Sequence, residues 1–142
     1  MTNVERQRLN QEIIAEFRSG AGKVGGQFAQ TPILLLTTTG ARTGETRTWP
    51  LAYQRDGDNL YVFAANGGRP TRPGWFHNLV ANPAVTVEVG TESWPAKATV
   101  ATGEERERLW NQGLPAAPFL TTFQEKVSWP IPVVVLTRAD GA

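Results

Sequence analysis

Apolar residues at the start of the chain recur at helical spacing. Val4, Leu9, Ile13, Ile14 and Phe17 fall near one stripe, with Glu5, Arg6, Arg8, Glu12 and Glu16 mostly elsewhere, which predicts a helix over Thr2–Ser19. Gly20, Gly22, Gly25 and Gly26 then break any period, so Gly20–Gln30 is expected to be a loop or hinge. From Thr31 through Thr39 the pattern is continuous, aliphatic and β-branched, as in a strand buried on both sides. Gly40-Ala41-Arg42-Thr43-Gly44 turns the chain back into a second strand over Thr46–Gln54, where Pro50 implies a bulge or a sheet edge.

The remainder alternates hairpins with short helices. Asp56-Gly57-Asp58-Asn59 is a strong hairpin turn into a third strand, Leu60–Ala64. Trp75–Ala81 reads as a short helix stopped by Asn82-Pro83, and Val85–Val89 and Trp94–Ala101 pair across Gly90-Thr91-Glu92. Thr102-Gly103-Glu104-Glu105 is a capping sequence for a helix to about Gln112. Pro115–Lys126 is irregular or helical, and Ile131–Thr137 is a last buried strand. About six antiparallel strands with an N-terminal helix and short peripheral helices predict an α+β fold whose sheet closes into a small barrel. One domain spanning 1–142 is expected, with 1–25 as its N-terminal helix and flexible loop.

Composition narrows the chemistry. A formal net charge of +1 supplies no whole-molecule field for nucleic acid, so any anion must be held by locally placed arginines. With no cysteine, disulfides, thiolate nucleophiles and Cys-based metal sites are excluded. A single histidine, His77, argues against a His-based metal site or a Ser-His-Asp triad. No apolar run approaches the ~20 residues of a membrane span, and no signal-peptide core is visible. The expected address is cytoplasmic or peripheral at the membrane, as a monomer or homodimer. The mixed charges of the first helix favour packing on protein.

Two glycine-bounded turns carry the candidate chemistry. Arg42 and Arg47 flank the first; guanidiniums fork onto phosphate or carboxylate, and the amides of Thr43 and Gly44 add donors. Taken alone, the same pattern describes, more simply, a solvated hairpin with two surface arginines. Ala64-Ala65-Asn66-Gly67-Gly68 places small residues after a strand, either to admit a flat ring against the backbone or merely to allow positive φ. Trp75-Phe76-His77-Asn78 offers an aromatic wall and an amide, or Trp75 is plain core. His77 suits a local contact better than a general base.

As a set, these segments resemble the deazaflavin-dependent nitroreductase family, the coenzyme F420-using branch of the split-barrel flavin/deazaflavin oxidoreductases. The resemblance runs from about Gly26 to Arg138. It is carried by Leu35-Leu36-Thr37-Thr38-Thr39-Gly40 with Arg42, Gly44 and Arg47, by Asn66-Gly67-Gly68, by Trp75 with Asn78-Leu79-Val80-Ala81-Asn82-Pro83, and by Ile131-Pro132-Val133-Val134-Val135. It implies a split β-barrel of FMN-binding type holding coenzyme F420 (an 8-hydroxy-5-deazaflavin), with FMN as the alternative cofactor.

By the same resemblance, Arg42 and Arg47 bind the phosphate and oligoglutamate tail, with Ala41, Thr43, Gly44 and Thr48 beside them. Ala41 stands where the family commonly has a second basic residue. The ring lies along Trp49-Pro50-Leu51-Ala52 and Phe63-Ala64-Ala65-Asn66, next to Gly67, oriented by the backbone of Ala65 and Asn66. Gly74, Trp75, Phe76, His77 and Asn78 close over the ribityl and phosphate portion. Trp49, Phe119, Leu120 and Phe123 are expected to form an apolar acceptor slot. Ala65 occupies the place of a serine, and Ala117 to Phe123 lacks the family's tyrosines, which directs the expected hydride transfer to enones and quinones ahead of nitro compounds. A barrel binding a cofactor or lipid without turnover is the alternative from another class.

Overall fold

The computed structural model describes residues 2–26 and 31–139. Among them, seven strands form one antiparallel sheet: β1 (Ile33–Thr39), β2 (Thr46–Ala52), β3 (Gln54–Asp56), β4 (Asn59–Phe63), β5 (Ala84–Val89), β6 (Glu92–Val100) and β7 (Val133–Arg138). Their order is β2-β1-β5-β6-β7-β4-β3. The two outer strands of that order are consecutive in the chain, parted only by Tyr53. One bent segment thus pairs with β1 through its first half and with β4 through its second, curling the sheet into the expected split barrel. The single strand expected over Thr46–Gln54 is therefore two, because its halves pair with different neighbours. Pro50 lies on edge strand β2, where a missing N–H costs no ladder bond on the open side.

The aliphatic run of β1 is buried on both faces because two cores meet there. Leu34 and Leu36 point into the barrel with Val62, Val87 and Val134. Ile33 and Leu35, out of phase by one residue, point outward under Ile13 and Phe17 of α1 (Asn3–Ser19). A third cluster, built on Tyr61, Leu109, Leu120 and Val133, lies between the outer face of β4 and β7 and the helices α3 (Gly103–Gly113) and α4 (Phe119–Glu125). Burying a leucine such as Leu36 contributes about 1.5–3 kcal/mol over leaving it in water.

Helix α1 begins with a capping box: Glu5 N–H donates to Thr2 Oγ1 at 3.1 Å while the Glu5 carboxylate accepts from Thr2 N–H. The cap expected from Thr102 does not form. Gly103 enters α3 at φ +58°, and the Thr102 hydroxyl makes no capping bond. The far end of α1 is locked to β5. Arg18 forks onto Glu88 at 2.9 and 3.2 Å, and Gly22, at φ +90°, abuts Gly90 so closely that a Cβ would lie 2.5 Å from its Cα. Of the loop expected over Gly20–Gln30, residues 27–30 lie outside the described residues.

Register decides what gathers at each end. Because β1 runs antiparallel to β5, Thr39 and the turn after it lie at the end where β5 begins. β4 finishes at that same end, beside Val133 and the finish of β6. Both glycine turns of interest thus share one barrel end with α2 (Gly74–Ala81), whose Trp75 and Leu79 are 4% and 1% exposed and plug the interior.

Candidate functional site

The turn joining β1 to β2 is built tightly. Gly40 N–H donates to the Glu45 carbonyl at 2.7 Å, and Gly44, at φ +74°, donates back to the Gly40 carbonyl at 3.1 Å. From α2, Asn78 clamps this turn. Its Oδ1 accepts from Ala41 N–H at 3.1 Å, and its Nδ2 donates to Thr38 Oγ1 at 3.1 Å. Thr38 is the one buried polar side chain besides the aromatics among the described residues, 1% exposed, and it also accepts from Trp49 Nε1 at 3.4 Å. One hydroxyl thus joins the turn, the helix and β2. Asn78 holds the turn from beneath, with one N–H and one lone pair of its amide used inside the protein; it was expected as a cofactor contact.

Arg42 and Arg47 project from this clamped turn and are exposed. Among the described residues neither guanidinium has an ion-pair partner, and Glu45 between them pairs with neither. Two unneutralised cations on a rigid turn favour anionic ligands.

The second turn follows β4. Asn66, Gly67 and Gly68 adopt φ of 51°, 63° and 84°, a left-handed run that suits glycine. Asn66 is held in it by Nδ2, which donates to the carbonyl and hydroxyl of Thr71, both at 3.0 Å. At Gly68 a Cβ would meet the Phe123 ring at 2.6 Å, so the ring of α4 lies directly on this backbone. Ala64 is buried in the barrel interior, while Phe63, Ala65 and Phe123 pack in the outer cluster.

Strand β2 faces a groove of about 410 Å3 through Arg47, Thr48 and Trp49. The far wall is α1. Thr48 is fixed by a 2.8 Å hydroxyl contact with Thr37, and the Trp49 ring reaches Gly74, where a Cβ would lie 3.8 Å from Cη2.

The expected acceptor slot is not gathered. Leu120 is 1% exposed and belongs to the core, while Trp49 packs against the barrel cluster and Phe123 against the outer one. One helical step separates Phe119 from Leu120, so the two cannot share a face; Phe119 instead meets Phe123 at 5.2 Å, one turn away. Trp75 proves to be core. His77 is exposed, edge-on to Phe76 at 5.9 Å. Pro50 and Leu51 are half-buried and Ala52 is exposed along β2, and Gly74 opens α2.

Two contributions were missed. The Thr38 hydroxyl is one, since nothing local marks it among three consecutive threonines. The other is α1 as a groove wall. Gln7, Asn10 and Gln11 stand at i, i+3 and i+4, a spacing that places them on one face.

Comparison with known proteins places the chain in a family. A model of the F420H(2)-dependent quinone reductase family matches residues 8–138. The F420H(2)-dependent quinone reductase Rv1261c of Mycobacterium tuberculosis is 43% identical over 130 residues, 87% of this chain and 86% of its own. A solved F420-H2 dependent reductase, FDR-A, is 38% identical with a TM-score of 0.69, covering 74% of this chain and 93% of that one. A further solved chain, described as a domain-swapped dimer, is 34% identical with a TM-score of 0.71, covering 95% and 99%. With its two arginines on the clamped turn and its glycine turn at the same barrel end, the chain belongs to the F420H(2)-dependent quinone reductase family.

Proposed function

We propose that this protein reduces quinones and related conjugated carbonyls with reduced coenzyme F420. The observation that carries the proposal, in a chain of this family, is the pair of unpartnered arginines on a turn that Asn78 and Thr38 hold rigid. When bound, the reduced cofactor supplies a hydride to an electron-poor acceptor. Arg42 and Arg47 hold its anionic tail, with the amides of Thr43 and Gly44 in support. The small residues Ala64, Ala65 and Gly67 let a flat ring lie on the backbone. Phe119 and Phe123 supply the apolar surface beside Ala65 on which an acceptor stacks.

Orientation is the main service the chain performs, and it is worth several kcal/mol without an acid–base side chain. The proton that completes quinone reduction comes from water; His77 is exposed and lies edge-on to Phe76. A lipid carrier is disfavoured by the barrel itself, whose interior is filled by side chains and closed by Trp75 and Leu79.

Fluorescence titration of the purified chain with coenzyme F420, and separately with FMN, tests the proposal. Tight binding of F420, with steady-state quinone reduction by its reduced form, is expected. Binding of FMN alone overturns it. The Arg42→Ala, Arg47→Ala double variant should lose roughly 2–4 kcal/mol of cofactor affinity, two charge-assisted contacts discounted for exposure.

A further inference from the structure

The groove beside β2 has a polarity that the ring and the acceptor do not explain. Its α1 wall presents Gln7, Asn10 and Gln11, and its β2 wall presents Arg47, Thr48 and Trp49. Among the described residues no carboxylate lines it: Glu5, Glu12 and Glu16 of the same helix are absent from the lining. Arg18 at its end is already neutralised by Glu88, which leaves Arg47 as the uncompensated charge. The three carboxamides make no hydrogen bond to any described residue. Each offers two N–H donors and a carbonyl acceptor. Strand β2 is an outer strand of the sheet order, so alternate backbone amides and carbonyls along it have no ladder partner on its free side. Among the described residues of the lining, an apolar chain would find Ile14 and Trp49 alone to contact.

Donor-rich walls, one free guanidinium, a free strand edge and no acidic group among the described lining residues suit an extended anion with amide links. We propose that α1 forms the second wall of the cofactor-tail site, with Gln7, Asn10 and Gln11 binding the carboxylates and amides of the acidic tail opposite Arg47. This deepens the deazaflavin reading and rests on it. Helix α1 can serve in this way because its C-terminal half is fixed independently, by Ile13 and Phe17 in the core and by the Arg18–Glu88 fork. Its amide face is then held at a set distance from β2 whether or not a ligand is present.

The test compares two probes by fluorescence titration: coenzyme F420 with its tail, and the deazaflavin–ribityl fragment lacking phosphate and tail. The full chain should bind the tailed form more tightly. The triple variant Gln7→Ala, Asn10→Ala, Gln11→Ala should weaken binding of the tailed form about tenfold, three solvent-shared hydrogen bonds, and leave the fragment unchanged. The near-isosteric triple variant Gln7→Glu, Asn10→Asp, Gln11→Glu should weaken it further at low salt and recover as salt is raised, because carboxylate repulsion is screened. Thermal unfolding of each variant checks that α1 stays docked. Equal loss for both probes, or no loss for the tailed form, overturns the α1 wall while leaving the functional reading intact. Failure of the unaltered chain to bind either probe overturns both.

Discussion

Replacing Asn78 with Ala tests whether the turn joining β1 to β2 is held from α2. The side chain makes two hydrogen bonds, to Ala41 N–H and Thr38 Oγ1, each 3.1 Å long. They are not equivalent. Ala41 is exposed, so water replaces the lost acceptor and the cost stays near the lower end of the usual ~0.5–1.5 kcal/mol. Thr38 is 1% exposed and keeps only its longer contact from Trp49, so this loss lies toward ~1–2 kcal/mol, including partial desolvation of the hydroxyl. The total is about 1.5–3 kcal/mol, a fall in melting temperature of roughly 5–10 °C for a domain of this size. Cofactor affinity should fall as well, by about three- to tenfold, because ordering a freed turn costs on the order of 1 kcal/mol. Differential scanning calorimetry and fluorescence titration measure the two effects. A double-mutant cycle with Thr38→Val isolates the shared bond, with an expected coupling of about 0.5–1.5 kcal/mol. Unchanged melting and affinity in Asn78→Ala, or coupling below about 0.3 kcal/mol, would refute the clamp.

Gly68→Ala should destabilise by about 2–4 kcal/mol, combining positive φ with a Cβ driven into the Phe123 ring, and chemical denaturation reads it directly. Ala65→Ser should raise nitro reduction relative to enone reduction by up to ~10²-fold, as for an added oxyanion donor; unaltered protein that prefers a nitroimidazole in steady-state assays would show that Ala65 does not set the preference. The Arg108 guanidinium forks onto Asp56 at 2.8 and 3.0 Å and holds its carboxyl below the usual range. The lowered value means that this stabilisation is fully present above the ordinary carboxylate pKa of about 3.9 and is lost as pH falls through the folded value. Asp56→Asn should therefore melt below the unaltered protein at pH 7, with a gap that closes in acid.

Much of this was readable along the chain, and the failures share a cause. The consecutive aliphatics of β1 announced burial on both faces because alternation is impossible to miss when it is absent. Arg42 and Arg47 stood out because charge at a glycine-bounded turn survives any packing arrangement. The break at Tyr53 carries no glycine or proline signal; it arises because Thr46–Ala52 meets β1 while Gln54–Asp56 meets β4, a fact about distant partners. The same holds for Gln7, Asn10 and Gln11, which read as a solvated helix face until Arg47, Thr48 and Trp49 of β2 are set across the groove from them. Leu120 illustrates the reverse error. Its neighbour Phe119 is 51% exposed, and only the docking of α4 shows which of two adjacent apolar residues faces water.

The position of β7 between β6 and β4 has a consequence for how the protein is made. The hairpins β1–β2, β3–β4 and β5–β6 each join neighbours in sequence and can pair as soon as both halves leave the ribosome. β7 follows all of them, and Val133, Val134, Val135 and Leu136 must enter a slot whose two sides are already present. Until they arrive, β4 and β6 each expose an unpaired edge beside valine-rich surface, a state prone to adhesion between nascent chains. Substitutions that slow the entry of β7 should therefore lower soluble yield more than they lower the melting temperature of the molecules that finish folding.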